Sequence, residues 1–161
     1  MTIRPFKLQD EDQVVALWQR CGLLRPWNDP KRDISTKLQR QAELFLVGVL
    51  ENDVVAVVMA GYEGHRGWIN YLAVAPEHQR AGYGRAIMAH AELLLRQLGC
   101  PKVSLQIRRD NAEVVEFYSR LGYGQDDVIS MGKRLDQPSA AQQGDAADEG
   151  RAGHDSGSPR G

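Results

Sequence analysis

The sequence predicts one α/β domain built on a mixed sheet, and three observations carry that prediction. The stretch from Trp68 to Ile107 reads strand, loop, amphipathic helix, strand, which is a βαβ crossover between parallel strands. Two apolar runs, Leu44 to Leu50 and Val54 to Gly61, flank Glu51-Asn52-Asp53 as the arms of a hairpin, which adds antiparallel pairing. Helical and strand periodicities also alternate along residues 1–135 instead of segregating.

Taken in order, Thr2 to Phe6 is a first strand. Asp10 with Gln13 three residues on has the pattern of a capping box. The helix behind it carries Val14, Leu17, Trp18 and Cys21 on one face. Gly22 to Trp27 is a loop. Asp29-Pro30 reads as N-cap and first helical residue of a second helix running toward Ala42. After the hairpin, Gly64 and Gly67 mark a turn, and Trp68 to Val74 is a fourth strand that Pro76 closes. Ile87, Met88, Ala91, Leu94, Leu95 and Leu98 form the apolar face of a third helix ended by Gly99. Val103 to Ile107 is a fifth strand, Asn111 to Leu121 a fourth helix stopped at Gly122, and Val128 to Leu135 a sixth strand. The predicted order is β-α-α-β-β-β-α-β-α-β.

Composition bounds the function. A hydrophobic share of 42% supports a real core, and 25% charged residues leave an ordinary surface. After Leu135 the chain turns to Gly, Ala, Ser, Pro, Gln and Asp without an aromatic or large aliphatic residue. Residues 136–161 are therefore expected to be a disordered tail and residues 1–135 the domain. The net charge is −1; five acids against two arginines in the tail leave residues 1–135 at about +2, suited to binding anions. A basic stripe with interleaved aromatics is lacking, so a nucleic-acid partner is not expected. The N-terminus has charges where a signal peptide needs an apolar run, and no apolar stretch is long enough to span a bilayer. With two cysteines and four histidines out of ligand spacing, the expectation is a cytoplasmic protein without a metal or a disulfide framework.

The most informative stretch is Leu72-Ala73-Val74-Ala75-Pro76-Glu77-His78-Gln79-Arg80-Ala81-Gly82-Tyr83-Gly84-Arg85. A strand runs into a loop with two glycines and two arginines, and a helix begins at once. Glycines let backbone N–H groups approach an anion, and the helix start adds unpaired N–H groups and a positive dipole end. Arg80 and Arg85 supply formal charge, so the loop suits a pyrophosphate. A dinucleotide fingerprint is disfavoured: Ile87 occupies the third glycine position, and no acidic residue follows about twenty residues on.

Gln79-Arg80-Ala81-Gly82-Tyr83-Gly84 resembles the Gln/Arg-x-x-Gly-x-Gly/Ala signature of the GNAT acetyltransferase superfamily. Asn111 to Tyr123 resembles that family's Asn…Phe-Tyr-x-x-x-Gly-Phe/Tyr block, one helix and one strand downstream. The likeness covers residues 2 to 135. A finer likeness, on Leu24 to Pro30 and Gly61 to Gly67, is to a bacterial subgroup called YpeA-like, near the enzymes acetylating a ribosomal protein's N-terminal alanine.

The resemblance implies a mixed sheet of about six to seven strands flanked by four helices, acetyl-CoA as co-substrate, and transfer of its acetyl group to a primary amine. The acceptor would be a small molecule, a lysine or a protein N-terminus, and the chain a monomer or homodimer. It implies a CoA pyrophosphate on Gln79, Arg80, Ala81, Gly82, Tyr83, Gly84 and Arg85, with Asn111 also on the cofactor side. The pantetheine arm would run along Ala73 and Val74, and a backbone N–H at or near Leu72 would meet the oxyanion. Tyr118 matches the family's tyrosine and would act as the acid for the departing thiolate, as well as touching the cofactor.

For the base, Glu63 is the first candidate, with His65 and Tyr71 beside it; a solvated hairpin with no base is the alternative. Arg25, Trp27, Asn28 and Asp29 lie between the first two helices, one wall of the family's acceptor groove. Trp27 would stack on the acceptor, with Asp29 or Glu63 attracting its ammonium, unless Asp29 is a plain N-cap. A non-catalytic acyl-CoA sensor is the competing class, since a sensor needs only the phosphate loop.

Overall fold

Runs of Val, Leu and Ile in period two form the sheet that organises the molecule. The computed structural model describes residues 1–135, so the tail expected from 136 onward lies outside the described residues. Two units divide the chain, Met1–Tyr123 and Gly124–Gly161.

In the first unit the elements are β1 (Thr2–Pro5), α1 (Glu11–Arg20), α2 (Pro30–Leu38), β2 (Phe45–Leu50), β3 (Asp53–Tyr62), β4 (Gly67–Val74), α3 (Tyr83–Gln97), β5 (Val103–Leu105) and α4 (Ala112–Arg120). The five strands lie in the order β1-β2-β3-β4-β5. The first four pair antiparallel, and β5 pairs parallel to β4, so β4–α3–β5 is the expected crossover.

The sheet separates two cores. On one face Trp18 of α1 lies fully buried, stacked on Tyr71 of β4 (ring centroids 4.2 Å) and near Phe45 (6.2 Å), and Phe6 stacks on Phe45 at 4.4 Å. On the other, Ile87, Met88, Ala91 and Leu95 of α3 pack with Leu46, Val58, Ile69 and Tyr118. Alternation along β4 sends Tyr71 and Ala73 to the first core and Leu72 and Val74 to the second.

Four expectations are corrected. Asp10 and Gln13 do not form a capping box: Asp10 makes no side-chain cap to α1. Its carboxylate accepts from both terminal nitrogens of Arg4 (2.7 and 2.9 Å) and from the Lys7 N–H (2.8 Å), because a bidentate pair with a full positive charge outcompetes a single backbone N–H of the helix. Gln13 instead accepts from the Val54 N–H (2.8 Å), pinning the β2–β3 turn.

The second helix ends at Leu38, short of Ala42, because Gln41 takes a left-handed φ of +54° that no helix can continue. Its amide then pairs with both backbone groups of Tyr62 (2.8 and 2.9 Å), as a strand neighbour would. The fifth strand stops at Leu105 instead of Ile107, for want of a β4 partner.

The sixth strand, Val128 to Leu135, is not formed. Val128, Ile129, Met131 and Leu135 are strongly exposed, and the described sheet has five strands, not six or seven. Strand propensity is a preference for a half-buried pleated surface and is realised only where a paired strand supplies hydrogen bonds.

Candidate active site

The site is built where β4 parts from its neighbour. β4 pairs with β5 only along Gly67–Ile69 against Val103–Leu105, so from Asn70 onward it keeps β3 alone. A bulge marks the parting. Val57 faces Ala73 and Met59 faces Asn70, which leaves Tyr71 and Leu72 opposite Val58, with Tyr71 at a φ of +53°. A bulge of this kind leaves one residue out of the ladder and its backbone groups free for another partner. The Ala75 N–H donates to the Val55 carbonyl (2.9 Å), so alternation turns the backbone of Val74 toward the side β5 has left. There the Val74 carbonyl accepts from Gln79 Nε2 (3.2 Å) and Cys21 Sγ (3.4 Å).

The chain beyond β4 coils into α3. Arg80 (φ +63°) and Gly82 (φ +84°) are both left-handed, and Gly82 is the residue before the first helical turn. The first bond inside the helix runs from the Ala86 N–H to the Gly82 carbonyl (3.0 Å). The N–H groups of Tyr83, Gly84 and Arg85 therefore have no acceptor within the helix. No acidic residue stands in that turn, and Arg80, Ala81 and Arg85 are exposed around it. The positive dipole end, free donors and two guanidinium groups suit a pyrophosphate.

The two glycines of this loop differ in what they do. A Cβ on Gly82 would meet nothing within 4 Å, so that position needs glycine for its left-handed backbone and opens onto free space. A Cβ on Gly84 would lie 3.1 Å from Phe117 Cζ, so that glycine lets α3 close on α4.

α4 holds Tyr118. Asn111 caps the helix, its side-chain oxygen accepting from the Val114 N–H (3.3 Å). Tyr118 is 6% exposed, lies edge-on to Phe117 and Tyr123 (5.0 and 5.4 Å), and shares one apolar cluster with Leu72 and Val74. Burial pushes its phenol well above the ordinary value of 10, so the group stays protonated at neutral pH and is a standing proton donor. Tyr123 in turn donates to Glu92 (2.8 Å).

Across β4, on the α1–α2 face, a polar chain spans three elements. Asn28 Nδ2 donates to the Tyr71 hydroxyl (2.5 Å), and that hydroxyl donates to Asp33 Oδ2 (2.6 Å). Burial first, and the Asp33 hydrogen bond second, push the Tyr71 phenol up to about 12. Asp33 escaped the sequence reading, although it follows Asp29 by one helical turn and so shares its face of α2. Asp29 itself is the N-cap, accepting from the Arg32 N–H (3.1 Å). Trp27 is 61% exposed beside Asn28, and the Arg25 carbonyl accepts from the Asn28 N–H (2.9 Å), which folds this loop on itself.

Glu63 and His65 stand apart from these groups. The Glu63 carboxylate accepts from the backbone N–H groups of His65 (2.6 Å) and Arg66 (2.8 Å), clasping the β3–β4 turn. Those bonds hold its carboxyl below the ordinary range. His65 is exposed on the same turn. No hydrogen bond joins either residue to Tyr71 or Tyr118 among the described residues.

A sequence profile of the Acetyltransferase (GNAT) family matches residues 11–123. Among solved structures, Ard1 from Thermoplasma volcanium is similar at 27% identity and a TM-score of 0.70, over 81% of this chain and 84% of that one. The ribosomal-protein-S18-alanine N-acetyltransferase from Escherichia coli matches at 21% identity and 0.65, over 78% of each chain. AAC(6')-Iy, in complex with the bisubstrate analogue CoA-S-monomethyl-acetylneamine, matches at 16% and 0.68, over 83% of this chain and 98% of that one. The last two, below 25% identity, show the fold.

Proposed function

The chain belongs to the Acetyltransferase (GNAT) family, and from that premise we propose that it moves the acetyl group of acetyl-CoA directly to a primary amine. The observation that carries the reading is the parting of β4 from β5 where β4 runs into the Arg80–Arg85 loop. One continuous path then offers free strand backbone for an amide-bearing arm and, at its end, a helix N-terminus for phosphates.

Gln79, Arg80, Ala81, Gly82, Tyr83, Gly84 and Arg85 bind the pyrophosphate, mostly through backbone N–H groups, with Arg80 and Arg85 adding charge. The pantetheine arm runs along Ala73 and Val74, where the Val74 N–H turns to the side β5 has left, and a bulge N–H at Leu72 donates to the oxyanion that develops at the acetyl carbonyl. Tyr118, protonated and packed in the Leu72 cluster, gives its proton to the departing thiolate. Asn111 supports this side by capping the helix that carries Tyr118. Acetyl-CoA supplies the activated thioester; everything else is positioning by this chain.

The acceptor enters from the α1–α2 side, where Arg25, Trp27, Asn28, Asp29 and Tyr71 form its wall; His65, expected there from sequence, stands on the β3–β4 turn apart from it. Its nitrogen must be neutral to attack, a condition an α-amine of pKa about 7.7–8.0 meets in part at pH 7. Glu63, expected from sequence as the base, is held ionised by two backbone N–H groups and is the weaker base for it. Two neighbours point the same way in their names, one an alanine N-acetyltransferase and one holding an analogue that joins CoA to an acetylneamine.

Calorimetric titration of the full chain with acetyl-CoA tests the reading against a Gly82→Asp variant. Wild type is expected to bind, and the variant to bind about tenfold to a hundredfold more weakly, because a carboxylate then stands at the pyrophosphate. Because any side chain at a φ of +84° strains the backbone, Gly82→Asn serves as the control that carries the same strain without the charge, and circular dichroism of both variants checks the fold. Equal binding by both proteins, or none by folded wild type, overturns the assignment.

A further inference from the structure

Asp33 stands out among the acids of the α1–α2 wall for what surrounds it. Asp29 is committed to a helix cap and Glu63 to a turn, whereas Asp33 is half-buried and held by a hydroxyl. Two side chains from other elements are spent on orienting it: Asn28 holds Tyr71, and Tyr71 holds Asp33. Yet no lysine or arginine pairs with it among the described residues, whereas other acids there do pair, Asp10 with Arg4, Glu77 with Arg20, and Glu11 and Asp12 with Lys31. Tyr71 occupies one lone-pair site of a carboxylate that has about four. An oriented, partly desolvated carboxylate without a cation, held through Tyr71 by an asparagine whose chain neighbour is the exposed Trp27, is a receptor for a cation from outside the chain.

That cation is not the nitrogen that reacts. A carboxylate against the attacking nitrogen would favour its ammonium form, which has no lone pair to attack with. The geometry also separates the two. Leu72, at the proposed transfer point, is the next residue to Tyr71, and Asp33 lies a whole tyrosine side chain and one hydrogen bond farther out.

We propose that Asp33, oriented by Tyr71 and Asn28, is the specificity-determining counter-ion for a second positive charge on the acceptor, so that the preferred acceptors are diamines and related dications. This rests on the acetyltransferase reading and names the substrate class of the same site. One nitrogen enters neutral and attacks the acetyl carbon, the thioester C–S bond breaks, and the proton the nitrogen loses replaces the one Tyr118 gives to the CoA thiolate; the other nitrogen stays an ammonium on Asp33.

The test uses the full chain, with 1,5-diaminopentane and pentylamine as probes of equal carbon length. Thiol release from acetyl-CoA is expected to show a kcat/KM for the diamine about tenfold or more above the monoamine, carried by KM. Asp33→Asn, which keeps the volume and can still accept from Tyr71, is expected to bring that ratio close to one. Calorimetry of each amine into protein saturated with CoA reads the same preference without turnover. A wild type that does not discriminate the two amines, or an Asp33→Asn protein that keeps the preference, overturns the proposal. The wild-type comparison stands even where the variant does not fold. Failure of the broader reading has its own signature, no acetyl-CoA binding and no thiol release with either amine.

Discussion

The proposed phosphate loop and the proposed acceptor wall both adjoin β4 and are built in opposite ways. Gln79 to Arg85 is a contiguous stretch whose work is done by backbone N–H groups, two left-handed residues and a helix start. In the wall, Asn28 and Tyr71 are held by Trp18 and Asp33 through long-range contacts across α1, α2 and the β4 bulge. Its work is done by side chains. A loop of the first kind tolerates little change in backbone and much in side chain, and a wall of the second kind the reverse.

Tyr118 tests that division most sharply, since it is a buried side chain to which the proposed mechanism gives a part in the loop's chemistry. Tyr118→Phe keeps the packing with Phe117 and Tyr123 and removes only the hydroxyl that carries the proton. A fall in kcat of about a hundredfold or more is expected, with acetyl-CoA affinity little changed. A Phe variant with wild-type kcat would make Tyr118 a core residue and nothing more.

Gly84 is the place where the loop is not purely local. Gly84→Ala presses on Phe117 and is expected to lower unfolding free energy by about 1–3 kcal/mol in urea melts, and to shift α4 with Tyr118. An unchanged melt with weakened acetyl-CoA binding would return Gly84 to the anion-contact role that the motif alone suggests.

The smallest effect is expected at α1, which anchors the wall. Arg4 holds the Asp10 carboxyl below its ordinary value of 3.8. A lowered native pKa contributes stability that is complete above that ordinary value and is lost as pH falls through the lowered one. Asp10→Asn is therefore expected to cost about 1 kcal/mol at pH 7, with the difference from wild type shrinking through the acid range, because Arg4 is partly screened by solvent. A double-mutant cycle with Arg4→Met separates this pair from a helix cap. Zero coupling would restore the capping box that the spacing of Asp10 and Gln13 suggests.

What the sequence by itself determined is whatever depends on neighbours along the chain. The hairpin of β2 and β3, the β4–α3–β5 crossover, the caps at Asp29 and Asn111, and the left-handed entry at Gly82 are all set within a few residues. Local backbone preference and apolar period suffice for these. Tertiary structure decided where an equal local preference had two outlets. Val128 to Leu135 has strand composition and no strand, because a strand exists only with a partner. Asp10 had a cap within reach and took an arginine instead. Asp33 looks like any first-turn acid until the β4 bulge swings Tyr71 onto it. Hydrogen bonds and charges between distant residues have no signature in local spacing, and it is these that shape the acceptor wall.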